Sequence, residues 1–134
     1  MAPAPEQMSM EEAGSTPLAL LTAYQSMKDA GYSQPGCGRG QRILVHAGAG
    51  GVGHLALQLA KIYEFEEIVT TCSAANEEFV KSLGATTIVD YKTEDFVTKY
   101  ANNKFDLVVD PVGGDPIGCC CAAQSPGQGL GFRV

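Results

Sequence analysis

Residues 42–61 read RILVHAGAGGVGHLALQLAK, and the reading of this stretch decides the fold. A short apolar run over residues 42–47 enters a glycine cluster at residues 48–53 and leaves it as a helix. Leu55, Ala56, Leu59, Ala60 and Ile62 give that helix an apolar stripe, while His54, Gln58 and Lys61 fall at i, i+4 and i+7 on the other face. Gly48, Gly50 and Gly53 satisfy G-x-G-x-x-G, a weak pattern alone and a meaningful one between a strand and a helix. The tight turn needs backbone freedom, a pyrophosphate in close approach leaves no room for a Cβ, and the helix must pack near the strand. The amides from Gly50 through Gly53 stand at a helix N-terminus, where unpaired N–H groups and the helix dipole favour an anion. The bland alternative is a strand-to-helix turn without a ligand; the strand–helix–strand context puts dinucleotide binding ahead of it.

Working outward, residues 68–72 (IVTTC) are a β-branched second strand. Asn76 is expected to cap a helix with Glu77 and Glu78 in its first turn, Phe79, Val80 and Leu83 on its buried side and Gly84 at its end. Residues 87–90 are a third strand, Thr93 caps a short helix reaching about Tyr100, and residues 105–109 (FDLVV) are a fourth strand closed by Asp110-Pro111 and Gly113-Gly114. On the other side, residues 17–30 show helical periodicity in Leu18, Leu21, Thr22 and Gln25, with Pro17 in the first turn and Gly31 at the end. Strands alternating with helices predict an α/β fold: a Rossmann-type parallel sheet covered on both faces, in the order 3-2-1-4 and ending after the fourth strand. The expected organisation is a flexible N-terminal arm (1–16), a partial NAD(P)-binding domain (17–114) and a disordered Gly/Cys-rich tail (115–134). Leu107, Val108 and Val109 would then form a bare apolar edge, to be covered by the tail, by a partner or by self-association.

Composition narrows the function classes. The 134 residues are 45% apolar and 18% charged, enough for one packed core. Nine Lys and Arg against fifteen Asp and Glu give −6, a poor match to nucleic acid or an anionic membrane. No apolar run approaches the roughly 18 residues of a membrane helix. The first fourteen residues carry neither Lys or Arg nor an apolar block, which favours a cytoplasmic location. Cys37, Cys72, Cys119, Cys120 and Cys121 include no C-x-x-C pair, so thiols without zinc are the expectation. Two Y-x-x-x-K matches, Tyr24 with Lys28 and Tyr100 with Lys104, are misplaced relative to the glycine turn and read as chance. His46, inside the first strand, reads as a core histidine, and His54 as a solvated one.

The end of the second strand informs cofactor choice. NAD-selective sites place Asp or Glu about 20 residues beyond the glycine turn, at the ribose hydroxyls. Here residues 69–75 (VTTCSAA) contain no acid. A carboxylate would repel a 2′-phosphate and Ser73 would not, which favours NADPH over NADH.

Five segments together carry a further identification: LLTAYQSM (20–27), ILVHAGAGGVGHLALQLAK (43–61), FVKSLGA (79–85), VDYKTEDF (89–96) and FDLVVDPVGG (105–114). In this order and spacing the chain resembles the medium-chain dehydrogenase/reductase superfamily, on the side of the zinc-free quinone oxidoreductases. The resemblance implies hydride transfer from NADPH to a quinone or an α,β-unsaturated carbonyl. It implies that Ala49, Gly50, Gly51 and Val52 form the pyrophosphate turn and that Thr22 approaches the phosphate–nicotinamide side. Ser73, Asn76 and Tyr91 stand where relatives hold the 2′-phosphate, with Asn76 where the family often has Lys. Pro111 and Val112 stand beside the cofactor. No residue is assigned as a catalytic acid or base. The family's GroES-like barrel domain and its last two strands have no counterpart here, so the resemblance implies a truncated, cofactor-binding fragment inactive alone. A non-catalytic NADPH-binding module and a vestigial product remain as alternatives.

Overall fold

In the computed structural model, which describes residues 6–100, 102–113 and 131–133, the strands form one parallel sheet. β1 (Arg42–Val45) lies between β2 (Glu67–Cys72) and β4 (Leu107–Asp110), with β3 (Thr87–Asp90) outside β2. The order 3-2-1-4 therefore stands as the alternation of elements predicts. Register is set by apolar matching: Ile43, Leu44 and Val45 pair with Ile68, Val69 and Thr70 on one side and with Leu107, Val108 and Val109 on the other.

Because side chains alternate along a strand, the sheet feeds two cores. Ile43, Val45, Ile68, Leu107 and Val109 pack with Ala23 and Met27 of α1 (Met10–Asp29) and with Ala56, Leu57 and Ala60 of α2 (Gly53–Ile62). Val80 of α3 (Glu77–Ser82) joins the same cluster. Leu44, Val69, Val89 and Val108 face the other way, against Phe105 and against Phe96 and Tyr100 of α4 (Phe96–Tyr100). Both faces are covered, which is why the central strands read as unbroken apolar runs.

Several local expectations need correction. α1 begins at Met10, inside the stretch expected to be an arm. Ser9 and Glu12 form a capping box: the Glu12 amide donates to Ser9 Oγ (3.2 Å) and the Ser9 amide to Glu12 Oε2 (2.9 Å). Pro17 therefore lies inside the helix and not in its first turn. The buried face of α1 is Ala23, Ser26 and Met27, whereas Leu18 is 82% and Leu21 54% exposed. Small residues at 23 and 26 let α1 approach α2 closely, so the larger leucines point outward. Ala74–Asn76 is a 3-10 turn ahead of α3, Asn76 makes no side-chain cap, and Phe79 is 46% exposed. α4 starts at Phe96, later than a Thr93 cap would place it.

The sheet also does not end at β4. A fifth strand, β5 (Gly131–Arg133), runs parallel to it in the register Val108–Gly131, Val109–Phe132 and Asp110–Arg133. The expected bare edge is thus occupied by three residues of the expected disordered tail. A strand with an open row of N–H and C=O groups pairs with whatever short segment can reach it. Residues 115–130 and 134 of that expectation lie outside the described residues.

Candidate functional site

The order β2-β1-β4 places the C-terminal end of β1 at the point where connections leave in opposite directions. In open parallel sheets this crevice receives ligands. The chain there runs from His46 through the glycine turn into α2. Ala47 takes a left-handed conformation (φ 52°), and its carbonyl accepts the Gly50 amide at 2.9 Å. Two glycines are compulsory. A Cβ on Gly53 would stand 2.2 Å from the Ala47 oxygen, and one on Gly48 would stand 2.0 Å from Thr70 Oγ1. Gly51 is different: a Cβ there meets nothing within 4 Å.

This turn leaves donors free. His54 and Ala56 donate to the carbonyls of Gly50 and Val52, but among the described residues the amides of Gly51, Val52 and Gly53 have no acceptor. Val52, the cap residue of α2, supplies no side-chain cap, and the first turn holds no acid. A helix start usually satisfies such groups with its own Ser, Thr, Asp or Asn. Here the N–H groups and the dipole stay available to an external anion. His54 stays local: its Nδ1–H donates to the Gly50 carbonyl at 2.9 Å.

On the β2 side, Ser73 follows Cys72 and Tyr91 follows Asp90, and Cys72 and Asp90 are paired across the two strands. Asn76 Nδ2 donates to Ser73 Oγ (3.3 Å), and the Asn76 amide to the Ser73 carbonyl (2.9 Å). Tyr91 is 55% exposed. Ser73 and Asn76 are thus in contact, with Tyr91 at the end of the adjoining strand. Sequence reasoning passed over Lys92, which stands beside Tyr91. Its amide is held by Asp90 Oδ1 at 3.0 Å, and its ammonium forms no ion pair among the described residues. Lys92 and Tyr91 line a depression of about 330 Å³ with Thr93, Glu94, Asp95 and Phe96. The missing signal was strand pairing, which brings the residue after β3 beside the residue after β2. Cys72 is buried, and burial raises its thiol pKa, with Asp90 and Glu77 adding to the effect.

On the β4 side, Asp110 is 1% exposed. Its Oδ1 accepts the amides of Val112 (3.0 Å) and Gly113 (2.9 Å), which fixes the loop carrying Pro111 and Val112. Its Oδ2 has no partner among the described residues. Thr22 lies in α1, where its hydroxyl donates to the Leu18 carbonyl at 2.8 Å.

Known proteins are similar to this chain in sequence and in fold. The family model described as zinc-binding dehydrogenase matches residues 51–127. A chloroplast envelope quinone oxidoreductase homolog of Arabidopsis thaliana is 43% identical over 115 residues, which are 84% of this chain and 35% of that protein. The structure of the quinone oxidoreductase from Coxiella burnetii superposes with a TM-score of 0.78 at 41% identity, over 90% of this chain and 37% of that one. The quinone oxidoreductase from Thermus thermophilus, solved also in complex with NADPH, gives a TM-score of 0.67 at 31% identity over 84% of this chain and 36% of that one. The chain thus spans about a third of the length of these relatives.

Proposed function

The chain belongs to the zinc-binding dehydrogenase family, in its quinone oxidoreductase-like branch, and from that premise we propose that it binds NADPH as the cofactor part of an oxidoreductase that reduces a quinone or an enone. The observation that carries this reading is the glycine turn. Gly48 and Gly53 admit no Cβ, and among the described residues the amides of Gly51, Val52 and Gly53 are left without acceptors. Such a turn holds a diphosphate through main-chain donors at a helix start. In this reading Ala49, Gly50, Gly51 and Val52 line the diphosphate, and Ser73, Asn76, Tyr91 and Lys92 receive the 2′-phosphate. Pro111, Val112 and Thr22 flank the nicotinamide side. When bound, the nicotinamide supplies the hydride; the residues of this chain bind and orient it.

NADPH is preferred over NADH here because the end of β2 carries Ser73 in place of an acid, and Lys92 offers a cation one strand away that no described carboxylate neutralises. The family's description includes a metal. Among the described residues no three His, Cys, Asp or Glu side chains come together, and no step proposed here passes through zinc. No described helix is long and apolar enough to cross a membrane.

Calorimetric titration with NADPH, NADH and adenosine 2′,5′-bisphosphate tests the assignment. Heat with NADPH and the bisphosphate, much reduced with NADH, is expected, and Lys92→Ala should lower NADPH affinity about tenfold. No heat with any of the three removes the cofactor reading.

A further inference from the structure

The entry to the glycine turn is held from outside by one residue of β2. Thr71 is buried; its Oγ1 accepts the Ala47 amide at 3.0 Å, and its carbonyl accepts the Gly48 amide at 3.0 Å. After β1 and His46 the chain turns left-handed at Ala47 and passes on through Gly48. The same hydroxyl lies 2.7 Å from His46 Nδ1. A threonine hydroxyl has one proton and two lone pairs. With Ala47 donating to the oxygen, and no other acceptor for its proton among the described residues, Thr71 donates to Nδ1. His46 is therefore the neutral tautomer with its proton on Nε2.

The ring is held for that role. It packs against Phe96 of α4, with centroids 5.4 Å apart, and the His46 amide donates to the Val109 carbonyl of β4 at 2.9 Å. Burial lowers the His46 pKa; the nearby Asp110 carboxylate of β4 pulls in the opposite direction. The groups facing the ring from β2 and α4, Thr71 and Phe96, carry no charge.

We infer that Thr71 is a positioning residue for the dinucleotide turn, and that His46 acts through it by fixing the direction of its hydroxyl. The inference rests on the cofactor reading above. Together they set the path by which Ala47 and Gly48 aim the free amides that follow. Loss of the hydroxyl leaves the Ala47 amide without its acceptor in a half-buried place, and the turn loses its outside anchor.

The full chain tests this with Thr71→Val, which keeps shape, and Thr71→Ser, which keeps the hydroxyl. NADPH affinity, read by nicotinamide fluorescence, is expected to fall about tenfold in the valine variant and to stay within about twofold in the serine variant. Amide hydrogen exchange at Ala47 and Gly48 is expected to accelerate in the valine variant and to be restored by serine, with Leu44 and Val45 unchanged. Nitrogen chemical shifts of His46 report the Nε2–H tautomer in the unmodified protein. Should the valine variant fail to fold, His46→Leu carries the same test with a smaller expected loss, about threefold. Unmodified protein that binds NADPH while Thr71→Val and His46→Leu bind it equally well overturns the inference alone, as does an Nδ1–H tautomer. Unmodified protein that binds no dinucleotide overturns the cofactor reading and this one with it.

Discussion

The two ends of the same strand treat their polar groups in opposite ways. At the N-terminal end of β1, Arg42 is bonded to several elements at once. Its Nε pairs with Glu67 (2.5 Å), its Nη1 donates to Asn103 and to the Lys104 carbonyl, its amide donates to Asp106 Oδ2 (2.8 Å), and its guanidinium lies 4.9 Å from the Phe105 ring centre. At the C-terminal end, a few residues away, three consecutive amides and one carboxylate oxygen of Asp110 are without partners among the described residues. The first end stitches strands and loops together. The second leaves donors open, which is what the proposed cofactor site draws on. Stability and function are therefore separable along a single four-residue strand, and substitutions at either end should divide accordingly.

The largest effect is expected from Gly53→Ala. Its Cβ would meet the Ala47 main chain, which has little freedom to yield, so unfolding should be easier by about 2–4 kcal/mol, with cofactor binding lost as well. A melting temperature equal to that of the unmodified protein would show that the turn is looser than the structure has it. Next comes Gly51→Asp, where a side chain meets open space. A carboxylate at a helix start is electrostatically favourable, so stability should hold or rise by about 0.3–1 kcal/mol. NADPH binding should nevertheless disappear, because the carboxylate faces the diphosphate; retained affinity would reduce the turn to a structural device. Arg42→Ala should do the reverse, costing about 1–3 kcal/mol in denaturant unfolding and leaving NADPH affinity unchanged. A shift in affinity would mean that the two ends are coupled. The smallest effect belongs to Leu18→Ser: 82% exposed, Leu18 should change stability by no more than about 0.5 kcal/mol. A larger loss would mean that Leu18 is buried against the rest of the chain.

The pattern of success and failure in the sequence has physical reasons. The strand order was legible because β-branched runs and intervening helices leave few ways to wind a parallel sheet. The glycine turn was legible because steric exclusion at Gly48 and Gly53 writes itself directly into residue type. The start of α1 was also legible in principle, since Ser9 and Glu12 form a capping box, but Pro17 drew attention to a later start. The buried face of α1 was not legible: Ala23 and Ser26 are small, and what recommends them is close approach to α2, a tertiary fact. β5 is three residues long and follows a Gly-rich stretch, too short to show any period. Lys92 and Thr71 were missed for one reason: each matters because of its neighbour on the adjacent strand, and pairing is invisible along a single chain.

Ala47 carries one last consequence. A residue other than glycine at φ 52° bears a strain of about 1 kcal/mol, and its carbonyl is the wall that excludes a methyl group at position 53. Position 47 therefore has a short alphabet. Glycine relaxes the backbone, asparagine is tolerated, and valine, isoleucine or threonine should be absent from any functional variant library. Drift at this site is limited by the handedness of the main chain, whatever the cofactor demands.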